Sequence, residues 1–283
     1  MSDYIRQHAV KIDYKLGESW IILNEIEQSI KKKIESVGTP LKDWNISINY
    51  GIKTGLNEAF IISKEKRDEL IKTDPKSAEI IRPILRGRDI KRNEIDFQDK
   101  YLIALFPSRN YDIELFPAIK DWLINGDWVT TKTKKNPPTP IGSGKLRLEQ
   151  SGKEHVFKGV RFKSRKKTTN KWFETQDSIK YWDDFNHQKL VFSRISGDTP
   201  AFAIDKEKMF TNDTGYIITG NNLEYLLQQL INPIIWFSFK KFYMGGGIEK
   251  EFKVNNLLNL PVPFMDKEII LNSVEKSYIR DVM

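Results

Sequence analysis

Residues 131–171 hold thirteen lysines and arginines interleaved with Pro137, Pro138, Pro140, Gly142, Gly144, Gly152 and Gly159. Proline lacks a backbone donor, and glycine loses the most conformational freedom on ordering, so a long helix or a central strand is excluded here. The stretch predicts loops and short hairpins projecting from a folded body. Only Glu149 and Glu154 oppose its cations, so its local charge is +11 while the whole chain carries +8. The remainder is therefore net negative, and the basicity is segregated. Segregated positive charge suits a polyanion, because neutralising phosphates releases condensed counterions. A solvated flexible loop is the alternative reading of any charge run.

The body has ample length for a core: 283 residues, 39% hydrophobic and 30% charged. There is no cysteine, which removes disulfides, thiol nucleophiles and Cys-based zinc sites and fits a reducing compartment. His8, His155 and His187 are far apart in sequence, which argues against a histidine-rich metal site or a Ser-His-Asp triad. No apolar run approaches the ~20 residues of a membrane span. The nearest, 223–239, is interrupted by Gln228, Gln229, Asn232 and Pro233. A cytoplasmic protein without a membrane partner is expected.

Along the chain, Ser19 reads as the cap of a helix reaching Val37, with Ile22, Leu23, Ile26, Ile30 and Ile34 at helical spacing. From Trp44 the pattern turns to short strands and helices. Strands are predicted at 46–52, 59–62, 100–106, 189–195 and 201–204. Helices are predicted from the Ser63 cap to Lys72, over 75–84, over 110–124, over 222–243 with a kink at Pro233, and over 254–258. A terminal helix should follow Asp266. Without a regular βαβ rhythm the expected class is α+β: a mixed sheet with short helices, a basic loop-rich insertion and flanking N- and C-terminal helices. The predicted division is a lead-in segment over 1–43, a main domain over 44–264 containing the 131–171 insertion, and a tail over 265–283.

Several motifs suggest chemistry but are not supported by their context. Asn136-Pro-Pro-Thr139 resembles the Asn-Pro-Pro-aromatic loop of amino-group DNA methyltransferases, yet Thr139 stands where the aromatic should be and no strand precedes it. Gly245-Gly-Gly247 follows a helix, whereas cofactor-cradling turns follow a strand. Glu251-Phe-Lys253 has a nuclease-like spacing that a highly charged chain produces by chance, and Asp183-Asp184 or Asp96 with Asp99 make no better metal site. No catalytic or metal-ligating set emerges.

Two basic constellations are more specific. Arg82, Arg86, Arg88, Lys91 and Arg92 are five cations in one short segment, with Gly87 interrupting it. Arginine's planar fork suits phosphates or a guanine edge, while a helix C-cap is the plainer role for Arg82. In Gly51-Ile-Lys53-Thr54-Gly55 a tight turn frees backbone N–H groups for an anion, with Lys53 and Thr54 as further donors.

Taken in order, these segments resemble the TaqI-like C-terminal specificity domain, the target-recognition region of fused type II restriction-modification methyltransferases. The stretches that carry the resemblance are GIKTGLNEAFII (51–62), DPKSAEIIRPILRGRDIKR (74–92), KWFETQD (171–177), KLVFSRIS (189–196), NNLEYLLQQLINP (221–233) and LLNLPVPF (257–264). The resemblance implies sequence-specific binding of double-stranded DNA without catalysis in this chain. It also implies an S-adenosylmethionine-dependent adenine methyltransferase, as a domain of the parent chain or a partner subunit. On this reading Lys53, Thr54, Arg86, Arg88, Lys91 and Arg92 hold phosphates. Arg147, Arg161 and Arg165 of the insertion read base edges in the major groove, and Trp172 and Phe173 pack beneath it. Open alternatives are a half-site domain of a type I specificity subunit or phage-defence methyltransferase, a nuclease with an unrecognised site, and a module for an acidic protein partner.

Overall fold

The computed structural model describes residues 22–134, 136–195, 197–244 and 252–283. The Ser19 cap, the 245–247 glycines and Glu251 lie outside the described residues. The architecture is α+β. A four-stranded antiparallel sheet runs in the order Phe202–Asp205, Lys189–Ser193, Gly215–Gly220, Ile46–Tyr50. Successive side chains in a strand point to opposite faces, and both faces of this sheet are covered. Val191, Ala203 and Ile217 enter one core, while Leu190, Phe192, Phe202, Tyr216 and Ile218 enter another. Double coverage explains why Leu190, Val191 and Phe192 read as a continuous apolar run within this strand. Lys189 itself is fully buried, donating to Asp205 on the neighbouring strand and, at 2.8 Å, to the carbonyl of Phe185.

The core shared by Val191 and Ile217 is closed by a second sheet, Phe210–Thr211, Ile81–Leu85, Lys100–Ile103, Ile61–Ser63, whose first pair is parallel and whose others are antiparallel. The other core lies under Leu223–Leu230 and Pro233–Ser238. As expected, the helical run breaks at Pro233, where Asn232 recaps it by accepting from the N–H of Ile234. It continues as a π-helical turn, Phe239–Tyr243.

The structure moves four predicted elements. The first helix is Glu25–Val37, opened by a reciprocal capping box between Asn24 and Glu27, since residues 22–24 are not helical. Asn57–Phe60 is a single helical turn, and the strand expected there is Ile61–Ser63. Helix Pro117–Asn125 starts later than predicted, after the 3-10 turn Ile113–Leu115. The predicted 75–84 helix is instead the 3-10 turn Pro75–Glu79 and the strand Ile81–Leu85. Asp74 does cap, accepting from Lys76 N–H, but the buried Ile81 and Ile84 then favour a pleated surface packed against Lys100–Ile103. Ser63 caps Lys64–Thr73 as predicted. The C-terminal helix Ser273–Val282 packs on the first helix, where buried Glu275 accepts from Ser29 Oγ and Lys33 Nζ, both at 2.7 Å.

Candidate nucleic-acid interface

Three turns distant in sequence meet at one place. The Gly51 N–H donates to Gly215 O at 2.9 Å, and Ile52 N–H to Thr211 O at 2.7 Å. From the other side Asn212 N–H reaches Leu85 O at 2.9 Å, and Gly87 N–H reaches Thr214 Oγ1 at 2.8 Å. A Cβ at Gly51 would sit 1.8 Å from Asn212 O, and one at Gly87 2.2 Å from Thr214 O. Both glycines are therefore required for close backbone approach. The 212–215 turn is thus held between the two segments that carry Lys53 and Arg88. Both cations are exposed, and among the described residues neither has a side-chain hydrogen bond or ion pair. Lys91 is exposed as well, with Nζ 2.7 Å from Arg88 O.

Other predicted phosphate ligands are corrected by their surroundings. The Thr54 side chain is buried, its hydroxyl donating to Asn57 Oδ1 at 2.6 Å and accepting from Leu56 N–H. What the turn does offer is backbone: the N–H groups of exposed Lys53 and Gly55 have no acceptor among the described residues. Gly55 has φ +80°. Arg86 is clasped by buried Asp89 through Nε at 2.9 Å and Nη2 at 2.8 Å. Arg92, by contrast, stays exposed like Lys91, with one bond from Nη2 to Ile231 O at 3.0 Å beside a helical end. Arg82, expected at a helix terminus, lies in a strand and donates to Ala78 O.

The predicted base readers separate sharply. Arg147 is buried, giving Nη1 to Val129 O at 2.7 Å and Thr139 Oγ1 at 3.2 Å; burial lowers its pKa, with Glu58 opposing. Arg165 is buried too, and its guanidinium serves four carbonyls: Leu148 at 2.9 Å and Thr54, Trp172 and Glu174 at 2.8 Å each. Burial pushes its pKa down to about 9, with Glu174 opposing. Neither side chain can reach a duplex. Arg165 instead fastens the insertion to the Thr54 turn. Thr139 of the Asn-Pro-Pro tetrapeptide is likewise buried and bonded to Val129 O.

Arg161 alone of the three faces outward, its side chain 75% exposed and 3.6 Å from Glu154. It belongs to the hairpin Glu154–Phe157/Val160–Lys163, turned by Lys158 (φ 46°) and Gly159 (φ 81°), the paired positive φ of a type I′ turn. Cross-strand pairing puts Val156 and Arg161, with Glu154 and Lys163, on one face, and His155 with Phe162 on the other. Phe162 is buried while Arg161, Lys163 and Val156 are exposed. Beyond Arg147 and Arg165, the ten described cations of 131–171 are all exposed. Phe173 is core and Trp172 half-buried against it.

One feature had no sequence signal. An open cleft of about 470 Å³ is walled by the 53–58 turn, Thr133, Lys134, Asn136, Gln176 and Asp213. These polar residues converge through contacts distant in sequence, among them the Arg165 tie, the 212–215 turn and the Asp177 N–H donating to Lys53 O at 3.3 Å. Among the described residues, no group of three or more His, Asp or Glu is placed to hold a metal.

No family model and no curated protein matches the chain. The solved structures it is similar to in chain path include two enzymes. One is the type IIL restriction-modification enzyme MmeI, solved in complex with DNA: 13% identity, TM-score 0.43, covering 78% of this chain and 25% of that one. The other is the type IIG restriction endonuclease BpuSI: 14% identity, TM-score 0.45, covering 92% of this chain and 28% of that one. The chain thus spans about a quarter of the length of these enzymes. No described helix is long and apolar enough to cross a membrane.

Proposed function

We propose that this chain binds double-stranded DNA as the target-recognition part of a restriction-modification enzyme. The observation that carries the reading is the segregation of ten exposed cations on the 131–171 insertion, including a hairpin whose outer face carries Arg161 and Lys163. A two-stranded ribbon fits the major groove of B-DNA, roughly 12 Å wide. The hairpin enters that groove, Arg161 offers its fork to a guanine edge, and Lys158 and Lys163 meet the flanking phosphates. Lys53, Arg88 and Lys91, beside the 212–215 turn, hold the backbone and set the register. The resemblance of the 51–62, 74–92 and 221–233 segments to TaqI-like specificity domains points the same way. On this reading the chain performs no chemistry. Methyl transfer to adenine belongs to an S-adenosylmethionine-dependent domain in the parent chain or a partner subunit.

Fluorescence anisotropy with labelled duplexes at low salt tests the proposal. Arg88→Ala should weaken binding to every duplex alike and flatten the slope of log K against log salt by about one unit. Arg161→Ala should cost roughly 1–3 kcal/mol on the preferred sequence only. Failure to bind any duplex at low salt overturns the reading in favour of an acidic protein partner.

A further inference from the structure

We propose that the cleft between the 53–58 turn and Thr133, Lys134 and Asn136 is a binding site for a single nucleotide whose base carries an exocyclic amine. Of the residues assigned above to named duplex contacts, Lys53 alone lines this cleft. Its volume, about 470 Å³, lies within the range of small-ligand sites, about 300–1,000 Å³. Its wall divides chemically into two parts. One offers positive charge and unpaired donors: the exposed ammonium groups of Lys53 and Lys134, and the N–H groups of exposed Lys53 and Gly55, which have no acceptor among the described residues. Free backbone N–H groups of one tight turn, beside two lysines, suit a phosphate.

The other part offers planar amides. Asn136 and Gln176 make no side-chain hydrogen bond among the described residues. Asn57 receives the Thr54 hydroxyl on its Oδ1, which leaves its amide N–H groups unused. A primary amide matches the donor–acceptor edge of adenine, and a carboxylate accepts from an exocyclic amine; Asp213 supplies that carboxylate. Glu58, the other acid of the wall, is balanced by Arg147, whose charge it stabilises. Adenine and cytosine have the required amine next to a ring acceptor, whereas thymine presents a carbonyl in its place. The site is also braced: Arg165 donates to Thr54 O at 2.8 Å, so the phosphate side keeps its shape with no ligand bound.

The nucleotide can come from two sources, an extrahelical nucleotide of a bound duplex or a free mononucleotide. The first rests on the DNA-binding reading; the second does not. The test uses the full chain and three 20-base-pair duplexes: fully paired, with one bulged adenine, and with one bulged thymine. Anisotropy should show about tenfold tighter binding to the bulged adenine than to the paired duplex, because the bulge has already met the unstacking cost, and no gain for thymine. Asn136→Ala/Gln176→Ala removes two half-buried side chains that make no hydrogen bond among the described residues, so the fold should be retained. That variant should lose the gain while keeping the affinity and salt slope for the paired duplex. Equal binding to bulged and paired duplexes, or a gain that survives in the variant, overturns the extrahelical source. Calorimetry with dAMP and dTMP reads the cleft independently. Heat with dAMP that the double variant abolishes assigns the site to free nucleotides even if no duplex binds. Silence in both arms overturns the proposal, and duplex binding without either effect overturns it while leaving the DNA-binding reading standing.

Discussion

A single guanidinium decides how the insertion relates to the body. Arg165 bonds carbonyls at 54, 148, 172 and 174 from a buried position. Replacing it with methionine would strand four carbonyls, so Arg165→Met should destabilise the protein by at least about 3 kcal/mol in urea denaturation. Arg161→Ala, at an exposed and weakly paired site, should change stability by less than about 0.5 kcal/mol while impairing duplex binding. A stable Arg165→Met variant that lost only sequence discrimination would return Arg165 to the base readers. Nothing in the sequence separates these two residues: both are arginines in one basic run, four positions apart. What distinguishes them is a hairpin face in one case and a set of carbonyls from distant segments in the other. Thr54 was legible as part of a tight turn, but its hydroxyl turns inward to Asn57 and the residue is buried, so only its neighbours Lys53 and Gly55 are exposed.

Local signals at the scale of elements held where capping and burial agree. Ser63 caps its helix, Pro233 breaks its run, and the apolar stretch beginning at Leu190 is a doubly covered strand. They failed over 75–84, where Asp74-Pro75 announces a helix but the isoleucines that follow pair with Lys100–Ile103. A cap specifies one turn; the next residues obey the sheet beside them. The terminal helices show another contact that spacing could not reveal. Burial raises the Glu275 carboxyl, but Lys33, Ser29 and the Asn272 backbone outweigh it and hold the pKa below its ordinary 4.5. Burial likewise raises Glu27, and Lys241, Tyr278 and the Asn24 backbone bring it below that value. A carboxyl depressed in the fold contributes its full stabilisation above the unfolded pKa and loses it as pH falls through the folded one. Amide exchange in Ser273–Val282 should therefore stay protected down to about pH 4.5 and lose protection below it. Glu275→Gln should begin less protected at neutral pH and vary less with acid; an identical pH profile in the variant would show that Glu275 does not pin this helix.

For the whole molecule, the question is whether net charge or its placement governs association. The chain carries +8, yet outside 131–171 acids outnumber bases. A generic cation effect would respond to any five lysines equally, whereas counterion release counts only those that meet phosphates. Lys153, Lys158, Lys163, Lys166 and Lys167 are exposed on the insertion; Lys32, Lys42, Lys72, Lys267 and Lys276 are exposed elsewhere. Changing either set to glutamine removes the same charge and, at solvated positions, leaves the fold within about 0.5 kcal/mol per site. Loss of the insertion set should flatten the salt slope of duplex binding by about two units, from Lys158 and Lys163, and by up to about 4.5 units if all five meet phosphates, at roughly 0.9 per contact. Loss of the other set should leave that slope within one unit of the parent. Equal slopes in the two variants would mean that the segregation of charge has no bearing on binding, and the insertion would then be a solvated loop rather than a DNA-facing surface.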